Sequence, residues 1–592
     1  MHTDFYVDKT SQTYADVLTT FGLARVIQEL MFQQNAARRE IRIQDKGNYY
    51  HISCQPGVDE NRLEFLRTNS IVLVKAIPTT FYNEEKQPEG IPLVNWNEVT
   101  EYLNAVKSKG DSLPPRPEHL DILLTINPEA IQGYNSLLFR WWIVRECQPE
   151  IFRLLFDLYG STPNDVEAAA ADWKKLAKIR GWKYAPKISG QQLYNPDQGE
   201  GQNQPKANKL ETRKKPDINF WLTEWLRTVG FYQVAMPRLV GDEKTRNSDK
   251  DRKILVIAPR DISFGDSSII MEKFQRTMLP DTAIRFDLFA VIRYLQTLLA
   301  YYAEPAQQHR LRSLGSVKRN LVAGFFSAFY KKMGKGRTLM NMSFLSFPGW
   351  IEVYSEQDVR IYRNLLDELG RLVRQFDESR GEEVTLLQHL RDFLSGDNLE
   401  AFFRFTNAFP AYLMSTQQKG KWPKRLATEF IERLIMSTDR KLSEILQNEG
   451  FRNIAYAIRQ STVLAQYWSQ SEKGRYPYDV RYGLWQELSR RSRQKEGFVA
   501  DLTSFLQKYS AETAQVEENM RKRGVKFPFP HQRKNVRTTD IDEIVALIDE
   551  FGSETVANLL IAYGYARDPR EEGAPELEAE TPETTDEEEF AQ

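Results

Sequence analysis

The 592-residue sequence predicts an α+β N-terminal body that turns mostly α-helical after about residue 280, then ends in an all-α helical bundle and a disordered acidic tail. Three observations carry this expectation. Before residue 280, helically spaced apolar positions alternate with short β-branched runs; beyond it, helical spacing dominates. Aromatic residues make up 12% of the chain, enough large apolar surface to build cores and too much for a disordered polymer. From Glu571 to Gln592 there are ten acidic residues and no Lys or Arg, a composition that stays solvated.

Taken in order, Val17, Leu18, Phe21, Leu23, Val26, Ile27 and Leu30 predict a helix over Tyr14–Gln33. Tyr49–Ser53 and the β-branched run Ile71–Ile77, closed by Pro78, predict strands. Pro114, Pro115 and Pro117 mark a loop, and helices resume at Pro149–Tyr159 and Val166–Ile179. Residues 186–216 are rich in Gln, Asn, Gly and Lys and nearly free of apolar side chains, the pattern of a flexible linker or loop. A second polar loop, Gly241–Lys253, leads into a strand at Ile254–Ala258. Amphipathic helices are expected at Ala283–Tyr302 and Ser316–Lys332, then a hairpin around Pro348-Gly349, then helices at Val359–Phe376, Thr385–Leu394 and Leu399–Leu413.

Six further helices follow. Leu442, Ile445 and Leu446 mark the first, stopped by Gly450, and Phe451, Ile454, Ala455, Ile458 and Ala465 the second. Leu484 and Leu488 lie on the third, and Phe498, Leu502, Phe505 and Tyr509 on the fourth. Ile541–Phe551, capped by Thr539 or Asp540 and ended by Gly552, is the fifth, and Val556–Tyr563 the sixth. The resulting division is 1–185 mixed α/β, 186–216 linker, 217–435 mixed then helical, 436–568 bundle and 569–592 tail.

Several functional classes are disfavoured. No apolar run reaches the roughly 18 residues of a membrane span, and the first 30 residues lack a signal-peptide layout. Cys54 and Cys147 form neither a disulfide framework nor a CxxC pair, which fits a reducing, cytoplasmic setting. The six histidines are scattered, with no HExxH and no Cys/His metal spacing, and GKGRT at Gly334–Thr338 lacks the P-loop frame. No catalytic residue, metal site or cofactor is therefore expected.

Binding is the remaining class. The net charge of −1 hides an excess of nine basic residues in positions 1–570, and positions 440–537 alone hold 19 Lys or Arg against 10 Asp or Glu. Arg452, Tyr456, Arg459 and Gln466 fall at helical spacing opposite the apolar stripe and predict one exposed face; Arg490, Arg491, Arg493 and Lys495, then Arg521, Lys522 and Arg523, extend it. Such residues neutralise phosphates and stack on bases without reading sequence.

Three stretches carry a family resemblance: AYAIRQSTVLAQY (Ala455–Tyr467), YDVRYGLWQEL (Tyr478–Leu488) and DIDEIVALIDEFGSETVANLLIAYGYARD (Asp540–Asp568). They resemble the C-terminal part of the large subunit of type I CRISPR surveillance complexes (Cascade), of the I-A and I-B-like kinds. The resemblance implies a non-catalytic subunit at the 5′-handle end of a crRNA-containing complex with backbone-filament and handle subunits. It implies recognition of the protospacer-adjacent motif on double-stranded DNA, help in opening the duplex, and a small-subunit-like bundle that holds displaced DNA. A helicase-nuclease or transposition machinery would dock downstream, and guide pairing would read the sequence. In some such systems the bundle is also made separately by internal translation; Met414 and Met436 are candidate starts, and Met436 is expected to open the first bundle helix.

Polar loops in the first 435 residues are the expected readers of the adjacent motif. The candidates are Asn203, Lys206, Asn208, Lys209, Arg213, Lys214 and Lys215; Arg246, Asn247, Lys250 and Arg252; and Lys331, Lys332, Lys335 and Arg337. Asn, Gln, Lys and Arg are the types that pair with base edges, whereas Lys and Arg alone mostly hold phosphates. A metal-dependent nucleic-acid-processing enzyme of a defence locus and a protein-only scaffold are the alternative readings.

Overall fold

The computed structural model describes residues 1–34, 39–78, 87–108, 113–126, 131–183, 186, 193–194, 196, 220–241, 245–247, 249–278, 281–334, 336–396, 398–471, 476–524 and 533–568, without the side chains of 131–133. The chain starts β1 (His2–Asp8), α1 (Tyr14–Gln33), β2 (Glu40–Asp45) and β3 (Tyr49–Val58). Helices α2 (Trp96–Lys107), α3 (Leu120–Ile126), α4 (Ile131–Ile143), α5 (Gln148–Tyr159) and α6 (Val166–Ile179) follow. Next come α7 (Trp221–Val234), β4 (Ala235–Val240), β5 (Asp251–Pro259), β6 (Asp261–Ser263), α8 (Phe264–Thr277) and α9 (Ala283–Ala303). After β7 (Gly315–Ser316) and α10 (Val317–Asn320), a long ribbon of β8 (Val322–Met333) and β9 (Gly336–Ser346) leads to β10 (Glu352–Val353). The remainder is helical: α11 (Glu356–Arg374), α12 (Gly381–Ser395), α13 (Glu400–Gln418), α14 (Thr428–Thr438), α15 (Ser443–Gln447) and α16 (Glu449–Ser461). It closes with α17 (Val463–Ser471), α18 (Leu484–Arg490), α19 (Lys495–Lys522), α20 (Thr538–Phe551) and α21 (Ser553–Gly564).

An α+β N-terminal body followed by a mostly helical remainder is thus the fold observed. Two antiparallel four-stranded sheets, ordered β1-β3-β2-β6 and β4-β5-β8-β9, and the small pair β10-β7 supply the strands. Between the sheets, α1 packs along α7, and β6 joins the first sheet from beyond residue 216. The sequence division at 186–216 therefore does not divide the fold. Within that interval Leu193 and Tyr194 are buried, with the Tyr14 hydroxyl donating to the Leu193 carbonyl at 3.0 Å.

Three elements differ from expectation. Ile71–Ile77 forms no strand, bends at Val74 and makes only the bridge Ala76–Leu93 among the described residues. Side-chain amides replace a strand neighbour: Gln148 binds the Ile71 N–H and C=O at 2.7 and 2.9 Å, and Asn135 binds those of Ile77 at 3.0 and 2.8 Å. Residues 316–332 form mostly strand β8, because Phe325, Phe326, Phe329 and Tyr330 fit the alternating faces of a sheet. The hairpin consequently turns at Gly334, in the left-handed region at φ 64°, and Pro348-Gly349 lies beyond it.

The bundle also has different borders. Gly450 does not stop a helix; it lies in the first turn of α16, capped by Asn448, and sits against the backbone of Asp540. Asp540 occupies the first turn of α20 and accepts from the Arg537 N–H at 2.8 Å, while Gly552 ends that helix at φ 84° as expected. Met436 does not open a helix: it lies near the end of α14 and is 53% exposed, whereas Met414 is buried inside α13. The acidic tail, 569–592, lies outside the described residues.

Candidate nucleic-acid interface

The face expected on α16 is not a surface. Helices α15, α17, α20 and α21 surround α16, and Arg459 is only 1% exposed. Its Nη2 donates to the Tyr563 carbonyl at 2.8 Å, its Nη1 lies 4.0 Å from the Asp568 carboxylate, and the rings of Tyr456 and Tyr563 flank it at 5.9 Å. Gln466, on α17, is buried and donates to the Met414 carbonyl at 3.1 Å. Tyr456 is half-buried. Arg452 is half-exposed, but its Nε donates to the Leu446 carbonyl at 2.6 Å and its Nη2 pairs with Glu432 at 3.3 Å. These groups hold the bundle together. Small residues explain the enclosure: a Cβ on Gly564 would clash with Ile458, and one on Gly450 with Asp540.

The next cluster is exposed yet neutralised. Arg491 makes a two-pronged ion pair with Asp501 and holds that carboxyl below the usual carboxylate range. Arg490 adds a weaker contact to Asp501 at 4.0 Å, Arg493 pairs with Glu554 at 2.9 Å, and Lys495 with Asp549. Arg521, Lys522 and Arg523 are exposed at the end of α19, where positive charge suits the helix dipole; Lys522 also pairs with Glu518 at 2.7 Å.

The middle-region candidates fare differently. Asn203, Lys206, Asn208, Lys209, Arg213, Lys214, Lys215 and Lys335 lie outside the described residues. Arg252 belongs to the core of β5, where it donates to the Thr125 carbonyl at 2.8 Å. Its neighbour Lys253 pairs with buried Asp287 at 2.5 Å, which also takes Arg391 at 3.1 Å. An apolar strand flanks these cations, so the polar loop is shorter than the sequence suggested.

The other candidates converge. Arg246, Asn247 and Lys250 precede β5, and Lys331, Lys332 and Arg337 lie on the β8–β9 ribbon at the same end of its sheet. Arg337 stitches the two segments, donating through Nε to the Lys250 carbonyl at 2.8 Å and through Nη2 to the Asn247 carbonyl at 3.1 Å. The Lys332 N–H donates to Asp251 at 2.7 Å. Arg246, Asn247 and Lys331 are exposed. One end of this sheet thus brings Arg, Asn and Lys side chains together, the residue types that contact bases and phosphates.

Sequence reasoning passed over one segment. Lys419, Lys421, Lys424 and Arg425 are four cations within seven residues around Trp422. The signal was that density of charge beside an aromatic at a helix end. Among the described residues, no group of three or more His, Cys, Asp or Glu side chains is placed to hold a metal ion, and no helix is long and apolar enough to cross a membrane. Compared with known proteins, the chain matches no family model and no curated protein.

Proposed function

We propose that the chain is the non-catalytic large subunit of a CRISPR RNA-guided DNA surveillance complex in the cytoplasm. In this reading it recognises the protospacer-adjacent motif on duplex DNA, aids opening, holds displaced DNA and docks a helicase-nuclease or transposition machinery. The observation that carries it is the convergence of Arg246, Asn247, Lys250, Lys331, Lys332 and Arg337 at one sheet end, together with the wording of the three bundle stretches. A two-stranded ribbon fits the major groove, roughly 12 Å wide, where base edges are distinguishable. In this reading Arg246 and Asn247 would meet base edges and Lys331 a phosphate, while Arg337 holds the loop on the ribbon.

The test is co-expression of the tagged chain with its neighbouring genes and a guide array, followed by binding to duplexes with randomised flanks. Co-purified repeat-derived RNA and a flank preference that depends on this chain are expected. Arg246→Ala with Asn247→Ala should flatten that preference, each lost base contact being worth about 1–3 kcal/mol. Lys331→Ala should weaken all flanks alike. A chain that purifies without RNA and ignores flanks overturns the reading.

A further inference from the structure

Helix α13 ends in a segment that is basic, aromatic and firmly held. After Gln418 the chain turns through Gly420 at φ 74°, and the Lys421 N–H closes the turn on the Thr416 carbonyl at 3.2 Å. The following residues run without helix or strand to Ala427. Gln375, just past α11, clamps them: its Oε1 accepts from the Lys424 N–H at 2.9 Å and its Nε2 donates to the Lys424 carbonyl at 3.2 Å. Arg425 donates to the Ala566 carbonyl at 3.2 Å. On the other side, Gln470 of α17 donates to the Gln417 carbonyl at 2.7 Å.

This scaffold lines up three rings. Trp422 lies 4.9 Å from Tyr467, and Tyr467 lies 4.9 Å from Trp468, both edge-to-face. All three are half-buried rather than enclosed, and α17 itself carries no charged residue. Around them Lys419, Lys421 and Lys424 are exposed, and none forms an ion pair among the described residues. Arg371 and Arg374 stand in the last turn of α11, immediately before Gln375. This contrasts with Arg491, Arg493 and Lys495, whose charges are each matched by a carboxylate.

We propose that this segment binds single-stranded nucleic acid, DNA or RNA, with an unpaired base stacked on Trp422 and flanking phosphates on Lys419, Lys421 and Lys424. A part-exposed indole braced edge-to-face by neighbouring rings, among unpaired cations, suits a single strand, because a duplex buries its base faces and offers only phosphates and groove edges. An acidic protein segment would use the lysines but draw little from the indole. The inference rests on the reading of the chain as a nucleic-acid-binding protein and assigns its single-strand contact to a place distinct from the β8–β9 sheet end.

The experiment is fluorescence anisotropy of the full chain with labelled oligo-dT and oligo-rU of about 20 nucleotides and a hairpin duplex, spanning the site size of such surfaces. Each is read at low and at physiological salt. Lys421→Glu with Lys424→Glu, both exposed, should weaken single-strand binding about tenfold at low salt, and less as salt rises. Trp422→Ala should weaken it about five- to tenfold at both salts, while Trp422→Phe keeps most of the affinity. Duplex binding should change far less with Trp422→Ala. Comparing oligo-dT with oligo-rU tells whether the site prefers DNA or RNA. Wild-type affinity in both the charge and the Trp422→Ala variants overturns the proposal. So does loss on charge reversal alone, which would mark the patch as a seat for any polyanion, an acidic protein included. Thermal melts identify a Trp422→Ala chain that has unfolded; the charge variant and Trp422→Phe then decide, and equal loss in Trp422→Phe overturns stacking. Trp422-dependent binding in a chain that shows no guide RNA or flank preference would leave this site standing and remove only the guided role.

Discussion

Arg459 illustrates how a side chain can be assigned to the right helix face and wrongly to the surface. Its spacing from Arg452 and Tyr456 does put it opposite the apolar stripe of α16, but α15, α17, α20 and α21 surround that helix. A buried guanidinium is tolerated only with partners, and here they are the Tyr563 carbonyl, the Asp568 carboxylate and two rings. Arg459→Ala would strand that carbonyl and carboxylate in the interior. The expected cost is about 3–5 kcal/mol of stability, measured as a fall in the urea midpoint. Arg452→Ala, at a half-exposed position, should cost less than about 1 kcal/mol. Equal midpoints for the two variants would show that Arg459 is not integral to the core. Periodicity reports which residues share a helix face; it carries no count of the helices that will cover that face.

Elements were legible where their local pattern also satisfied their backbone. The helix Tyr14–Gln33 was readable end to end, while strand β5 and the late helices α11 to α13 were readable as elements but not at their ends: β5 begins three residues before the expected Ile254, and α13 runs to Gln418 rather than Leu413. The pattern failed where partners remote in sequence decide the outcome. Ile71–Ile77 has strand chemistry but borrows the amides of Asn135 and Gln148, and 322–333 pairs with β5 some 70 positions earlier. The α1–α7 contact shows the same remoteness in its energetics. Gly22 faces the Leu226 carbonyl and Gly230 faces the Leu18 carbonyl, each so close that any Cβ would overlap backbone. Two glycines thus permit a reciprocal approach of two buried helices, a packing no single helix pattern encodes. Gly22→Ala should force the helices apart and cost about 1–3 kcal/mol or more. Gly381→Ala, in open space at the start of α12, should be neutral or slightly stabilising. Thermal melts of the two variants decide it; a Gly22→Ala chain as stable as wild type would mean the crossing relaxes freely.

At the scale of the whole molecule, the C-terminal helices do not form a bundle that starts at residue 436. One hydrophobic core runs from the N-terminal sheets into α21. Helix α13 lies against α17, α18 and α21, and the Ala427–Arg567 bridge ties the chain before α14 to the chain after α21. The sequence made the helices of this region visible, but not which earlier helix closes them, because an amphipathic face names no partner. A polypeptide beginning at Met436 would start in the last turn of α14 and expose the side of α21 that α13 covers. It would also remove the Met414 carbonyl that accepts from buried Gln466 and the Glu432 carboxylate that accepts from the Tyr563 hydroxyl at 2.7 Å. Residues 436–592 expressed alone are therefore expected to show a broad, non-cooperative unfolding curve and to bind a hydrophobic dye, whereas residues 399–592, which restore α13 and α14, should unfold cooperatively. If the shorter fragment melts sharply as a monomer, α13 is dispensable and the helices from α15 onward form their own folding unit. A sharp transition in the longer fragment alone would place the boundary of any separately folding C-terminal unit before α13, since only there does the cut leave Gln466, Tyr563 and the buried side of α21 with their partners.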